Sequence, residues 1–337
     1  MSETQMRVAV IGAGVAGLCA LRHLLNSKKD YIPTCFERGS DVGGLWLYDR
    51  NTHIDDNGMP VFTSIYRDLI HHEKMNTPDI EGIEEFQGEV FHSHHYRTPE
   101  NYKDKNVVVL GASFSGQDIA VGMSDYAKQV FLSHLKDTLK TALPANVVQK
   151  TGIKRMKKNR VVFLDDTEEE VDVLVFCTGF LTQFPFLSED ITQVNSERVT
   201  PLYTHIVHIK FTTLLFVGIP RLLSFFPQCF EIAKVVVAIL DGTVALPSED
   251  QMREDAENDF ADRKREGLDD TQTHFMGDGD RQWRFNKDVA KMAGLDPLPT
   301  SFQRLWDYVT IQRDTKFLTF RKQNFEITDT ETFVEIN

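Results

Sequence analysis

The chain has 337 residues, of which 41% are hydrophobic and 26% charged, with a net charge of -13. That length accommodates two domains, or one large α/β domain with an insertion. The acidic balance excludes a general binder of nucleic-acid backbone, because no long basic stripe offsets it.

In chain order, residues 6–12 (MRVAVIG) predict a short buried strand that runs straight from the N-terminus, with no signal-peptide pattern. A helix is expected over 15–27 and a second strand over 34–37 (TCFE). Apolar strands alternating with helices point to a parallel sheet. The pattern restarts roughly a hundred residues later as an internal repeat of one supersecondary unit. Here NVVVLG is a strand, 117–126 a helix and QVFLS (129–133) a third strand. The basic stretch 150–160, with six cations, reads as a solvated loop or hairpin. Strands follow at 160–165 and 171–176, joined by a solvated acidic turn over 165–170 that includes Glu168, Glu169 and Glu170. LLFVG (214–218) predicts a buried strand and 231–240 an apolar-faced helix. From 247 the chain is polar, interrupted near Gly277 and Gly279, and helical again over 301–325. This tail reads as an amphipathic covering segment. The apolar region 211–240 is broken by Arg221, Glu231, Lys234, Pro220 and Pro227, so no transmembrane segment is expected and the chain reads as cytoplasmic.

Gly12-Ala13-Gly14-Val15-Ala16-Gly17 has the G-x-G-x-x-G form, preceded by a strand and opening a helix. Glu37 lies twenty residues beyond Gly17, at the end of the next strand. Gly12 permits the tight turn, Gly14 lets backbone approach a pyrophosphate, and Gly17 allows close helix packing. The helix N-terminus offers N–H donors to the anion, and Glu37 can accept from a ribose diol. The second loop, Gly111-Ala112-Ser113-Phe114-Ser115-Gly116, repeats this with Ser113 for the middle glycine. No carboxylate ends its following strand; Ser133, His134 and Lys136 stand there instead. Hydroxyl and cationic groups suit a 2′-phosphate, so this loop predicts NADPH. Two such loops in one chain suit hydride transfer from a nicotinamide to a flavin, with FAD at the first.

Cys19, Cys35, Cys177 and Cys229 include no C-x-x-C pair. That disfavours a zinc ribbon and a flavin disulfide reductase, and reads as buried reduced thiols. His71, His72 and Glu73, and the trio His92, His94 and His95, fit no strong metal-ligand spacing, so no metal is expected.

Further motifs resemble the flavin-containing monooxygenases, in a soluble, insect- or microbial-like form. Phe86-x-Gly88-x-x-x-His92-x-x-x-Tyr96 fits that family's F-x-G-x-x-x-H-x-x-x-(Y/F) signature. Residues 37–46, ending in Gly43-Gly44-Leu45-Trp46, resemble the segment that lies along the flavin, and Gly44, Leu45 and Trp46 are carried over as cofactor neighbours. Cys177-Thr178-Gly179-Phe180 resembles the A-T-G-Y motif, which places Thr178 and Gly179 near a cofactor, although a simple turn would look the same. His92 and Tyr96 are read as linker-fixing or cofactor-touching, with both readings open. The resemblance implies a cycle in which NADPH reduces FAD, dioxygen gives a C4a-hydroperoxyflavin, and a soft nitrogen or sulfur of a small amine or sulfide takes one oxygen atom. No catalytic side chain is assigned, and a homodimer is compatible with the reading.

The expected fold is α/β, with two nucleotide-binding Rossmann-like units on parallel sheets, an incomplete FAD unit and a helical C-terminal covering segment. The expected boundaries are 1–80 for the N-terminal part of the FAD-binding domain and 81–205 for the NADPH-binding domain. Residues 206–337 form the return to the FAD domain and the C-terminal segment. One departure from the family marks the first unit. After Tyr66–Leu69 the family continues into a Thr-Asn motif and a βαβ-sized stretch, and a βαβ unit takes about thirty residues or more. Only eleven residues separate Asp68 from Ile80 here. The alternative reading is therefore a catalytically impaired nucleotide-binding homologue.

Overall fold

Strand β1 (Met6–Ile11) runs into the first glycine loop, helix α1 (Val15–Leu25) returns, and β2 (Tyr31–Phe36) pairs with β1 in parallel. The structure is a computed structural model that describes residues 5–47, 74–135, 138–221, 224–277 and 280–336. His71, His72, Glu73 and the shortened stretch after Asp68 therefore lie outside the described residues, except for its end from Lys74 onward. β2 begins three residues earlier than the sequence pattern suggests and contains Pro33, which an edge strand tolerates because its N–H side needs no ladder partner.

The chain continues through β3 (Lys74–Met75) and β4 (Glu89–His92) to β5 (Asn106–Leu110), α2 (Phe114–Ser124), β6 (Gln129–Ser133) and β7 (Val147–Lys150). Then come β8 (Ile153–Lys157), β9 (Arg160–Phe163), β10 (Glu168–Glu170), β11 (Val173–Phe176) and β12 (Phe180–Leu181). Strands β4, β11, β5, β6 and β7, in that order, make a five-stranded parallel sheet. Val107, Val108 and Val109 of β5 are 0% exposed, buried on both faces as a parallel sheet requires. One face packs on Ile119, Ala120 and Met123 of α2, the other on Met156, Val161 and Phe163 of the β8–β9 hairpin.

The basic stretch is that hairpin, but Glu168, Glu169 and Glu170 are not a turn. They form β10, antiparallel to β9, and the turn is the short stretch 164–167. Glutamate is a poor strand former, and cross-strand charge compensates: Arg160 meets Glu168 at 3.2 Å and Glu170 at 3.1 Å, and Lys157 meets Glu168 at 2.9 Å.

Two small hairpins follow, β13 (Gln193–Asn195) with β14 (Arg198–Thr200) and β15 (Leu202–Tyr203) with β16 (Val207–His208). The expected strand at 214–218 adds no long ladder. Leu215 bridges Val207, and Phe216 N–H donates to Ile206 at 2.8 Å, so this run pairs beside β16. Helices α3 (Phe225–Leu240), α4 (Glu249–Arg265), α5 (Arg281–Met292) and α6 (Thr300–Thr315) complete the helical part. The helix expected to reach residue 325 stops at α6. Beyond it β17 (Asn324–Ile327) and β18 (Phe333–Ile336) form a hairpin whose Phe325 and Phe333 rings pack on Tyr308.

Between these hairpins and α4 lies a buried polar knot. Val199 N–H donates to His274 Nε2 at 2.9 Å, so the neutral His274 ring carries its proton on Nδ1, 2.9 Å from His205 Nδ1. Arg263, also buried, reaches Asp259 at 2.8 Å and the Phe275 carbonyl at 2.8 Å. Burial and the neighbouring Arg263 hold the His205 imidazole down at about 3.

Candidate cofactor-binding site

Both glycine loops are built from the same backbone parts. Gly12 and Gly111 sit at φ +93° and +110°, where a side chain is strained, and their N–H groups donate to Phe36 O and Ser133 O, each at 2.8 Å. The N-caps Gly14 and Ser113 are extended, at ψ -175° and -171°, and neither helix start carries a side-chain cap. A Cβ on Gly17 would lie 1.9 Å from Gly12 O, and one on Gly116 would lie 1.7 Å from Gly111 O. The helix therefore closes onto the strand end in each unit. The first turns, with Val15 and Ala16 in one and Phe114 and Ser115 in the other, keep N–H groups that no capping side chain uses, the arrangement a pyrophosphate needs. The cradles fit dinucleotides.

At the first loop, Glu37 Oε2 accepts from Ala13 N–H at 2.6 Å and Oε1 from Gly39 N–H at 2.8 Å. These bonds fix an exposed carboxylate at the end of β2, beside the loop. The Gly43-Gly44 segment lies on the same loop: Gly43 N–H donates to Ala13 O at 2.9 Å, and Gly44, Leu45 and Trp46 make one 3₁₀ turn. The Trp46 ring is 56% exposed and stands 5.2 Å from that of Phe226 at the start of α3. A Cβ on Gly218 would touch both Ala16 and Phe225. Phe226 was missed by sequence reasoning, since nothing in a lone aromatic marks which loop it will face.

At the second loop, the register of hydrogen bonds makes Ser133 the counterpart of Phe36 and His134 the counterpart of Glu37. Ser133 is fully buried and its hydroxyl donates to Thr151 O at 2.7 Å. It holds the strand end in place, and this corrects the expectation that its hydroxyl faces a 2′-phosphate. His134 is also buried, 3.1 Å from Gln149 Oε1, and Lys136 lies outside the described residues.

Thr178 and Gly179 come beside the second loop, because Gly111 packs against the Cys177 carbonyl. They also clasp the linker: Asn76 N–H donates to Gly179 O at 2.9 Å, Asn76 Nδ2 to Thr178 O at 3.2 Å, and the Thr178 hydroxyl to Asn76 O. His92 Nδ1 accepts from His94 N–H, which leaves Nε2–H to donate to Gly179 O at 2.9 Å. The signature histidine thus braces the Gly179 carbonyl that also holds Asn76. Tyr96 packs beside Tyr102 and α2, and burial raises its phenol. Cys177 is buried, its thiol pushed up to about 12 by desolvation, so it is an inert core group.

A sequence profile described as Flavin-binding monooxygenase-like matches residues 5–77, 70–140 and 135–279. The chain belongs to the flavin-binding monooxygenase-like family. Family enzymes are oxidoreductases that use FAD and NADPH. Among relatives, senecionine N-oxygenase of Tyria jacobaeae is 27% identical over 347 aligned residues, covering 74% of this chain and 75% of that one. That alignment is longer than this chain, so the relative carries stretches opposite gaps here. The flavin-containing monooxygenase FMO GS-OX-like 8 of Arabidopsis thaliana is 33% identical over 228 residues, covering 65% of this chain, which spans about half of it (49%). In three dimensions, S-allyl-L-cysteine S-oxygenase from Allium sativum superposes with a TM-score of 0.83 at 25% identity, covering 95% of this chain and 96% of that one. Within this family frame the expected α/β architecture with Rossmann-like units holds. No helix among the described residues is long and apolar enough to cross a membrane, and none of their His, Cys, Asp and Glu side chains group into a metal site.

Proposed function

We propose that this flavin monooxygenase transfers one atom of dioxygen to a nucleophilic nitrogen or sulfur of a small amine or sulfide. The other atom leaves as water, with two electrons and a proton from NADPH and one further proton from solvent. The observation that carries the reading is the pairing of two loops of one build that differ where a ribose would lie, a carboxylate at Glu37 and none at its counterpart His134. FAD would be held by Gly12, Gly14, Val15, Ala16, Gly17 and Glu37, with Gly44, Leu45 and Trp46 alongside. NADPH would be held by Gly111, Ser113, Ser115 and Gly116, with Thr178 and Gly179 adjoining. When bound, FAD supplies the oxygen-activating chemistry, and this chain's residues position it and limit water. An N-oxygenase and an S-oxygenase among the similar proteins support a soft nucleophile as substrate. We divide the chain at 80 and 205, and the alignment to senecionine N-oxygenase, longer than this chain, supports a shortened unit in this chain.

The test is the visible spectrum of protein purified with excess FAD, before and after NADPH under anaerobic conditions. Flavin absorbance that bleaches with NADPH, then recovers on admitting oxygen with oxygenation of a thioether or tertiary-amine probe, is the expected result. Colourless protein, or bound flavin that NADPH does not reduce, refutes the reading and favours an impaired homologue.

A further inference from the structure

We propose that the C-terminal helical segment contributes a cation to the dinucleotide at the second loop, with Arg313 meeting the nicotinamide-side phosphate of its pyrophosphate. This rests on the reading of Gly111–Gly116 as the NADPH loop. Arg313 of α6 holds its guanidinium carbon 4.6 Å from the centroid of Phe114, the first residue of α2. One turn along the same helix face, Arg321 pairs with Asp118 at 2.6 Å. Phe317, buried between these arginines in sequence, donates its N–H to Thr141 Oγ1 at 3.3 Å. The segment is therefore fastened along the first turns of α2.

A guanidinium stacked on a ring keeps its N–H edge for an acceptor in its own plane. Arg313 spends Nε and Nη2 on a single oxygen of the adjacent Asp314, at 3.1 and 3.0 Å, and among the described residues no hydrogen bond uses Nη1. The uncapped positive end of α2 lies at the same place. Ser113 hinders backbone approach where the first loop has Gly14, so a cation reaching in from α6 would restore attraction for the phosphates. A packing role explains the contact with Phe114, and Asp314 balances part of the guanidinium, but neither uses Nη1 beside the phosphate cradle.

The experiment titrates NADP+ and 2′,5′-ADP calorimetrically into wild-type protein and into R313A, R313K and R313M. The shorter nucleotide keeps the adenosine-side phosphates and lacks the nicotinamide-side phosphate. NADP+ should bind about 10-fold or more weakly to R313A, with R313K intermediate, while 2′,5′-ADP changes by less than about 3-fold. R313M retains apolar contact with Phe114, so it should fold and still lose NADP+ affinity. Unchanged NADP+ affinity, equal losses of both nucleotides, or full rescue by R313M would overturn the proposal. Wild-type protein that binds neither nucleotide would instead defeat the cofactor reading of the loop, and this inference with it.

Discussion

Gly17 and Gly116 close the same turn at almost the same separation from a carbonyl, yet the two turns stand on different foundations. The second rests on five strands covered on both faces. The first rests on β1 and β2, which among the described residues pair only with each other. Val10, Tyr31 and, partly, Val8 and Cys35 pack under Ala20, Leu24 and Val237 of α1 and α3. The other face carries the registered pair Ile11 and Phe36, 50% and 55% exposed. A dinucleotide cradle is thus a local object, set by glycine dihedrals and an uncapped helix start, whereas its stability is borrowed from whatever sheet lies behind it. Two strands alone are marginal in water, so the first cradle depends on α3 returning from far along the chain.

The largest expected effect is a methyl group at each turn. Gly116→Ala forces a clash with backbone inside the well-packed unit and should cost about 3 kcal/mol or more. Gly17→Ala makes the same clash on a looser base, so the loop can shift and the cost should be about half as large, while flavin retention falls sharply. Urea unfolding with flavin content measured in parallel checks both, and equal destabilisation would break the comparison. Next in size is the pair Val108→Ala and Ile11→Ala. The first removes atoms from a fully buried strand and should cost about 2 kcal/mol, the second less than about 0.5 kcal/mol. A large loss at Ile11 would mean that something covers that face in solution.

This asymmetry also explains which parts of the molecule were legible in the sequence. The loops were, because Gly12, Gly17, Gly111 and Gly116 meet steric demands that only glycine satisfies at those points. The buried strands β5, β6 and β11 were, because a sheet covered on both faces needs continuous apolar runs. Strand β10 was not: Glu168, Glu169 and Glu170 pair with β9 while Arg160 opposite, Lys157 of β8 and Lys150 of β7 balance their charge, a fact of register and not of composition. The run 214–218 was legible as apolar but not in its pairing. The buried state of Ser133 depended on its neighbour strand β7, and the placement of Arg313 on Phe114 joins residues 199 positions apart with no local signal.

A smaller effect should appear with pH. Burial first, then neighbouring cations and imidazoles, hold His94 down at about 4 and His205 at about 3, with His274 also well below the usual range. Each is neutral when folded and takes a proton more readily when unfolded. Their contribution is therefore complete above about pH 6.5 and is lost progressively as pH falls toward 4 and then 3. None of the three stands on β1, α1 or β2: His94 lies in the second unit, and His205 and His274 in the knot between the small hairpins and α4, so acid should loosen those regions before α1 and β1. Melting temperatures from pH 7 to 4 should decline in wild type and decline less in His205→Asn. A pH-independent melting temperature, or loss of amide protection in β1 before β11, would contradict the assignment.

The smallest effect concerns the exposed charge ladder on the outer hairpin. Arg160 bridges Glu168 and Glu170 at the surface, where ion pairs are screened and contribute little to global stability. Arg160→Ala should leave the melting temperature unchanged at about 0.15 M salt, while hydrogen exchange at 168–170 becomes faster, because Glu170 loses its cation and Glu168 one of two, Glu169 keeping Lys150. The contrast with Val108 sharpens the point about foundations. The apolar core behind the second loop fixes how stable that unit is, and the charges at its margin fix only which residues join the hairpin. A melting temperature that drops with Arg160→Ala would mean that the hairpin is an integral part of the sheet's support and that the two units differ in more than the number of strands behind them.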